Sequence, residues 1–117
     1  MEYVYGEYQV MALVQVLFLD DFAANRFQLP GAGAGTAEQL LASGNYRIIT
    51  EFTTPSTGLA AAELVETLSA GDSPEVVEAR NHIMPGLNRG LRLGDLVVID
   101  SVEAWVLLQS GWQRVNL

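Results

Sequence analysis

Between Tyr8 and Leu19 the chain reads YQVMALVQVLFL, and this stretch narrows the possible folds more than any other. Val, Leu and Phe favour a pleated environment. In a strand, Tyr8, Val10, Ala12, Val14, Val16 and Phe18 would share one face, and Met11, Leu13 and Leu17 the other. Apolar residues on both faces imply a central strand with cover on two sides. A buried helix is the rival reading, since periodicity does not separate the two. The stretch is interrupted by Gln15 and is too short to span a bilayer as a helix.

The rest of the chain supplies what such a strand needs around it. Residues 1–7 read as a ragged start, Asp20 to Asn25 as an irregular connection, and Arg26 to Leu29 as a short second strand. Pro30 and the Gly31-Ala32-Gly33-Ala34-Gly35 run form a flexible loop. Thr36-Ala37-Glu38-Gln39 has the form of a capping box, with Leu40 and Leu41 on the apolar side and Gly44 as the stop, which predicts a helix of about two turns. Tyr46 to Thr53 alternates as a strand, with Tyr46, Ile48, Thr50 and Phe52 on one face and Arg47, Ile49, Glu51 and Thr53 on the other.

Ala61, Leu64, Val65 and Leu68 follow the stripe of an amphipathic helix that Gly71 ends. Ser73-Pro74-Glu75 then combines an N-cap, a proline at the first helical position and a favourably placed acid, and Pro85-Gly86 stops that helix. Leu91-Arg92-Leu93, the turn pair Gly94-Asp95, Leu96 to Asp100, Ala104 to Leu108 and Trp112 to Val115 predict an antiparallel meander of three short strands. The expected fold is α+β: one domain over residues 1–117, with an antiparallel sheet and two or three short helices.

Composition narrows the chemistry. Half of the 117 residues are hydrophobic and 17% are charged, which suits a folded chain with its own core. The absence of cysteine excludes disulfides, thiolate metal sites and cysteine nucleophiles. The net charge of −8 opposes non-specific binding to nucleic acid or anionic membranes. No Lys or Arg precedes Arg26, so a secretory leader with a basic start is not expected, and the expected compartment is the cytoplasm.

Each familiar catalytic device lacks a required residue. The glycine run meets Thr36 where a dinucleotide fingerprint needs its third glycine, and a P-loop needs a lysine that this chain does not have. The single histidine, His82, is expected at the end of a short helix with no partner placed by sequence, where a cation is favourable in any case. Asp95 is expected to satisfy turn N–H groups after Gly94. No catalytic residue, metal ligand or cofactor is therefore assigned.

The one local excess of positive charge is Arg80, Arg89 and Arg92, in a segment with His82, Asn81 and Asn88. These side chains form the candidate binding set, suited to a phosphate, a nucleic-acid backbone or an acidic partner surface. Their structural alternative is pairing with nearby acids such as Asp95 or Glu78. Trp105 and Trp112, on adjacent expected strands, are candidates for an interface or for the core.

The stretch from Asn88 to Ile99 (NRGLRLGDLVVI), followed by Ala104-Trp105-Val106 and Gly111-Trp112, resembles a pattern in small uncharacterised phage and plasmid proteins. There, an Asn/Arg-Ser-Leu-Ser-Val-Gly-Asp-Val-Val segment precedes a short hydrophobic strand and a Gly-Phe or Gly-Trp. Ala37 to Leu41, Gly44 to Tyr46 and the helix around Glu63 to Leu68 resemble the usual lead-in, so the likeness covers about residues 36–117. A Gly-Asp turn before a strand is also found in small barrels resembling the ASCH and PUA modules that bind RNA. This chain has Gly90 and Arg92 where the phage-type pattern has serines, which enlarges its arginine cluster. The resemblance implies a mobile-element origin and carries no catalytic residues. The expected function is that of a non-enzymatic accessory protein that binds another protein. The alternative is a nucleic-acid or polyanion-binding module using Arg80 to Arg92.

Overall fold

A computed structural model describes residues 11–117. Their strands are β1 (Ala12–Leu19), β2 (Tyr46–Thr54), β3 (Leu96–Ile99), β4 (Glu103–Leu108) and β5 (Gly111–Val115). Three α-helices accompany them: α1 (Ala34–Ala42), α2 (Gly58–Ala70) and α3 (Pro74–Ile83), together with a 3-10 helix over Asp21–Gln28. The strands form one antiparallel sheet in the order β2-β1-β3-β4-β5, and β3 to β5 make the expected meander. The fold is α+β. The expected ragged start at 1–7, and the Tyr8 and Val10 end of the first strand, lie outside the described residues.

β1 takes an inner position in the sheet, but its second face is covered only toward Leu17 and Leu19, and Met11 and Leu13 on that face are exposed, which corrects the expected cover on two sides. Ala12, Val14, Val16 and Phe18 join Val97 and Ile99 beneath Ala61, Ala62 and Val65 of α2, with Met84 completing the cluster. Leu17 and Leu19 face the other way, joining Leu96, Val98, Ala104, Val106 and Val115 beneath Ala23 and Phe27 of the 3-10 helix and Ala37 and Leu40 of α1. All four residues of β3 are buried. Each such side chain contributes roughly 1.5–3 kcal/mol of burial free energy, so this strand of four residues holds the two cores together.

Local chemistry explains most of the boundaries. The amide N–H groups of Gly44 and Asn45 donate to the carbonyls of Leu41 and Leu40, and Gly44 has φ +76°, which closes α1 as a glycine stop should. Ser73 caps α3 by accepting from the Val76 amide at 3.3 Å.

Three further expectations are corrected. Arg26 to Leu29 is not a strand; most of it belongs to the 3-10 helix, of which Ala23 and Phe27 are buried in the core beneath it. The capping residue of α1 is Gly33, not Thr36, which sits three residues in and takes the Gly33 amide on its Oγ1 at 3.2 Å. The helix start slides N-terminal because Gln113 of β5 accepts the Ala34 amide at 3.0 Å. Finally, β2 does not keep one face along its length. Val16 pairs with Thr50 and Leu17 with Ile48, so Ile49 is an extra residue in a β-bulge. Thr50 and Phe52 share the face of Val16, whereas Tyr46 lies opposite Leu19 and packs on the other core.

Candidate functional site

Asp95 is the side chain around which the arginine-rich segment is organised. It is 1% exposed, at the mouth of β3, and its carboxylate accepts four N–H groups. Oδ1 takes the Leu19 amide at 3.0 Å, just past the end of the β1–β3 ladder, where no backbone acceptor continues the sheet. Oδ2 takes the Arg92 amide at 2.8 Å, and the Asp95 amide donates back to the Arg92 carbonyl at 3.0 Å. The turn N–H it satisfies is therefore Arg92's, ahead of Gly94 and not after it. The Arg89 guanidinium completes the set as a fork, at 2.7 and 3.2 Å.

Arg89 is fixed on its other sides as well. Its guanidinium carbon lies 3.6 Å from the centroid of the Phe18 ring, and it donates to the Gly90 carbonyl at 2.8 Å. Arg80 donates to the carbonyls of Leu68, Ser69 and Gly71 at 3.2, 3.2 and 2.9 Å, and so closes the C-terminal end of α2. Arg92 reaches outward and meets Asp21 of the 3-10 helix at 2.6 Å, in a pair whose members are 46% and 87% exposed. The Arg92 guanidinium holds the Asp21 carboxyl below the usual carboxylate range, through its hydrogen bond first and its charge second.

These side chains border two depressions that share Asn88 and Arg89. One, of about 190 Å³, is lined by Ser69, Arg80, Asn81 and Gly90 besides the shared pair. The other, of about 280 Å³, is lined by Phe18, Asp21, Arg47 and Arg92 besides the shared pair. Four of the six arginines of an acidic chain thus border one continuous region.

Arg89 shares one depression with Arg80 and the other with Arg92, while Arg89 takes the expected alternative of pairing with Asp95 and Arg80 is held by backbone carbonyls. His82 lies exposed on the last turn of α3 and lines neither depression. Trp105 and Trp112 pack on the α2 side of the sheet, where their indole N–H groups donate to Glu103 at 2.7 Å and Glu66 at 2.9 Å. Arg47 is the residue that sequence reasoning missed. It stands opposite Phe18 only because the bulge at Ile49 turns the end of β2 over, and no local signal marks that bulge.

Tyr46, which packs on the core beneath the 3-10 helix and α1, ties the region to that core by donating its hydroxyl to the Gly94 carbonyl at 2.6 Å. Burial, and secondarily the Asp95 charge, push the Tyr46 hydroxyl well above the usual phenol range. A folded-state pKa raised above the unfolded value means that its stabilisation is complete below about pH 10 and is lost as pH rises beyond it. Alkaline denaturation should therefore begin above about pH 10, and Tyr46→Phe should flatten that dependence while costing about 1 kcal/mol at pH 7. Urea titrations of both proteins at neutral and alkaline pH check this, and equal slopes against pH would refute it.

Every buried side-chain polar atom among the described residues has a hydrogen-bond partner. Among the same residues, no group of three or more metal-ligating side chains converges, and no helix is long and apolar enough to cross a membrane. At the glycine run, the Gly33 and Ala34 amides are already taken by Thr36 and Gln113, which leaves that helix start a structural joint. Compared with known proteins, the chain matches no family model, no curated protein and no solved structure.

Proposed function

We propose that this chain is a cytoplasmic, non-enzymatic accessory protein that binds another protein through the face bordered by Arg47, Asn88, Arg89 and Arg92. One observation carries the reading: the shallow depression there is lined by Arg47, Arg89 and Arg92, whose charge exceeds that of Asp95 and Asp21 which pair with two of them, on a protein of net charge −8. A local positive surface in a negative field suits a partner that brings a few carboxylates, and it disfavours a long polyanion that the whole molecule repels. The resemblance of Asn88 to Ile99 to small phage and plasmid proteins adds a mobile-element setting. Asp95 belongs to the framework here, because it fixes Arg89 and the Arg92 backbone without meeting the partner.

The test is affinity capture from the native host with the wild-type chain and an Arg47→Ala/Arg92→Ala variant, both confirmed folded by circular dichroism. The expected result is a stoichiometric protein partner, retained at low salt by the wild type and lost by the variant. A partner retained equally by both would overturn the assignment of the face. Oligonucleotide binding with a steep salt dependence, abolished in the variant, would favour the polyanion alternative.

A further inference from the structure

The arginine-lined depression does not end at Arg92. The same residue borders a second, larger groove of about 440 Å³, lined by Ala24, Gln28, Leu91, Leu93 and Leu107. Arg92 is thus the shared wall of a basic depression and an apolar one. Across that wall lies Asp21, whose carboxylate sits 2.6 Å from the Arg92 guanidinium although it is 87% exposed. Burial does not hold it there, and the attraction of Arg92 does. Asp21 occupies the position that an incoming carboxylate would take.

We propose that the occupant of this face is an acidic-apolar peptide segment, with a carboxylate on Arg92 and Arg47 and a neighbouring aliphatic side chain in the Leu91–Leu93–Leu107 groove, and that Asp21 is a built-in competitor for it. The inference rests on the protein-binding reading above and adds to it the chemistry of the partner and a brake on its affinity. Charge complementarity selects the acid, since Asp95 matches Arg89 and Asp21 alone faces Arg47 and Arg92 in the basic depression. The apolar groove selects its neighbour, because a leucine-sized side chain there removes aliphatic surface of Leu91, Leu93 and Leu107 from water.

Asp21 makes the proposal unusually easy to test, because its removal should strengthen binding. Asp21→Asn leaves the backbone of the 3-10 helix intact and takes away an exposed carboxylate, so the variant is expected to fold. The probe is a blocked peptide of alternating glutamate and leucine, titrated into the ¹⁵N-labelled full chain at low salt. Its glutamine–leucine counterpart and a short oligothymidylate serve as comparisons. Amide shifts are expected to centre on residues 21–24 and 88–93. The Kd should fall by about twofold to fivefold in Asp21→Asn and rise by about tenfold or more in Arg92→Ala.

An Asp21→Asn Kd equal to or weaker than wild type would overturn the competitor role, even if Arg92→Ala still weakens binding and the protein-binding face stands. Equal affinity for the glutamine–leucine peptide, or tighter binding of the oligothymidylate, would overturn the acidic-apolar occupant. Loss of the effect of Arg92→Ala as well would overturn the face itself.

Discussion

Asp95→Ala should lower the free energy of unfolding by about 3–4 kcal/mol, the largest loss expected from any single polar side chain among the described residues. Removing one member of a buried ion pair typically costs about 3–5 kcal/mol, because the other charge is left without a partner. Here the orphaned groups are the Arg89 guanidinium and the amides of Leu19 and Arg92. Arg89 is 24% exposed, so water can reach it in the variant, and this places the estimate toward the lower end of the range. Asp95→Asn keeps the shape but loses the forked charge-assisted contact, and should cost about 2 kcal/mol. Urea denaturation midpoints at pH 7 measure both. A loss below about 1 kcal/mol for the alanine variant would show that Asp95 is dispensable to the fold.

Gly94→Ala is expected to cost about 3 kcal/mol or more, for a different reason. Gly94 has φ +96°, a region that side chains with a Cβ enter only under strain. The added carbon would also lie 2.5 and 2.8 Å from ring atoms of Phe27 and 2.9 Å from a methyl of Leu19. Both residues are buried, so neither can move aside without opening the core beneath the 3-10 helix and α1. Gly90→Ala provides the contrast. Its nearest neighbour would be the Ser69 carbonyl at 3.5 Å and its backbone is not in the left-handed region, so the change should stay within about 0.5 kcal/mol. Thermal melts of the two variants side by side should separate them clearly; similar melting temperatures would mean that the Gly94 turn tolerates a side chain.

The same two residues show what could be read from the sequence. Gly94-Asp95 announces a turn, and the short apolar runs separated by brief turns after it announce the meander, because both signals are local. The two-faced apolar run ending at Leu19 likewise gives away its inner place in the sheet. The bulge at Ile49 does not show, since Ile48 and Ile49 are equally good strand residues and contain no glycine to mark the break. The 3-10 helix does not show either, since Arg26 to Leu29 looks strand-like and the buried Ala23 and Phe27 do not follow its three-residue repeat.

The candidate face was half legible. Arg80, Arg89 and Arg92 are close in sequence and remain close in space. Arg47 and Asp21 arrive from 40 and more residues away, carried by strand pairing and by the turn after β1. The role of Asp95 was underestimated, because the turn around it was visible and the Leu19 amide, 76 residues away, was not.

The turn between β3 and β4 bears on the order in which the chain assembles. Asp100 and Ser101 both have positive φ, at 54° and 60°, without glycine or asparagine to ease it. Each such residue costs about 1 kcal/mol or more, so this reverse turn is a poor nucleus for its own hairpin. What holds Asp100 in place is β1: the Leu13 amide donates to its side chain at 2.8 Å, and its own amide donates to the Leu13 carbonyl at 2.8 Å. The β3–β4 hairpin is therefore templated by β1, a strand distant from it in sequence. The contact spans 87 residues, so the geometry of this turn depends on a long-range pairing of β3 with β1, the class of contact whose closure slows folding.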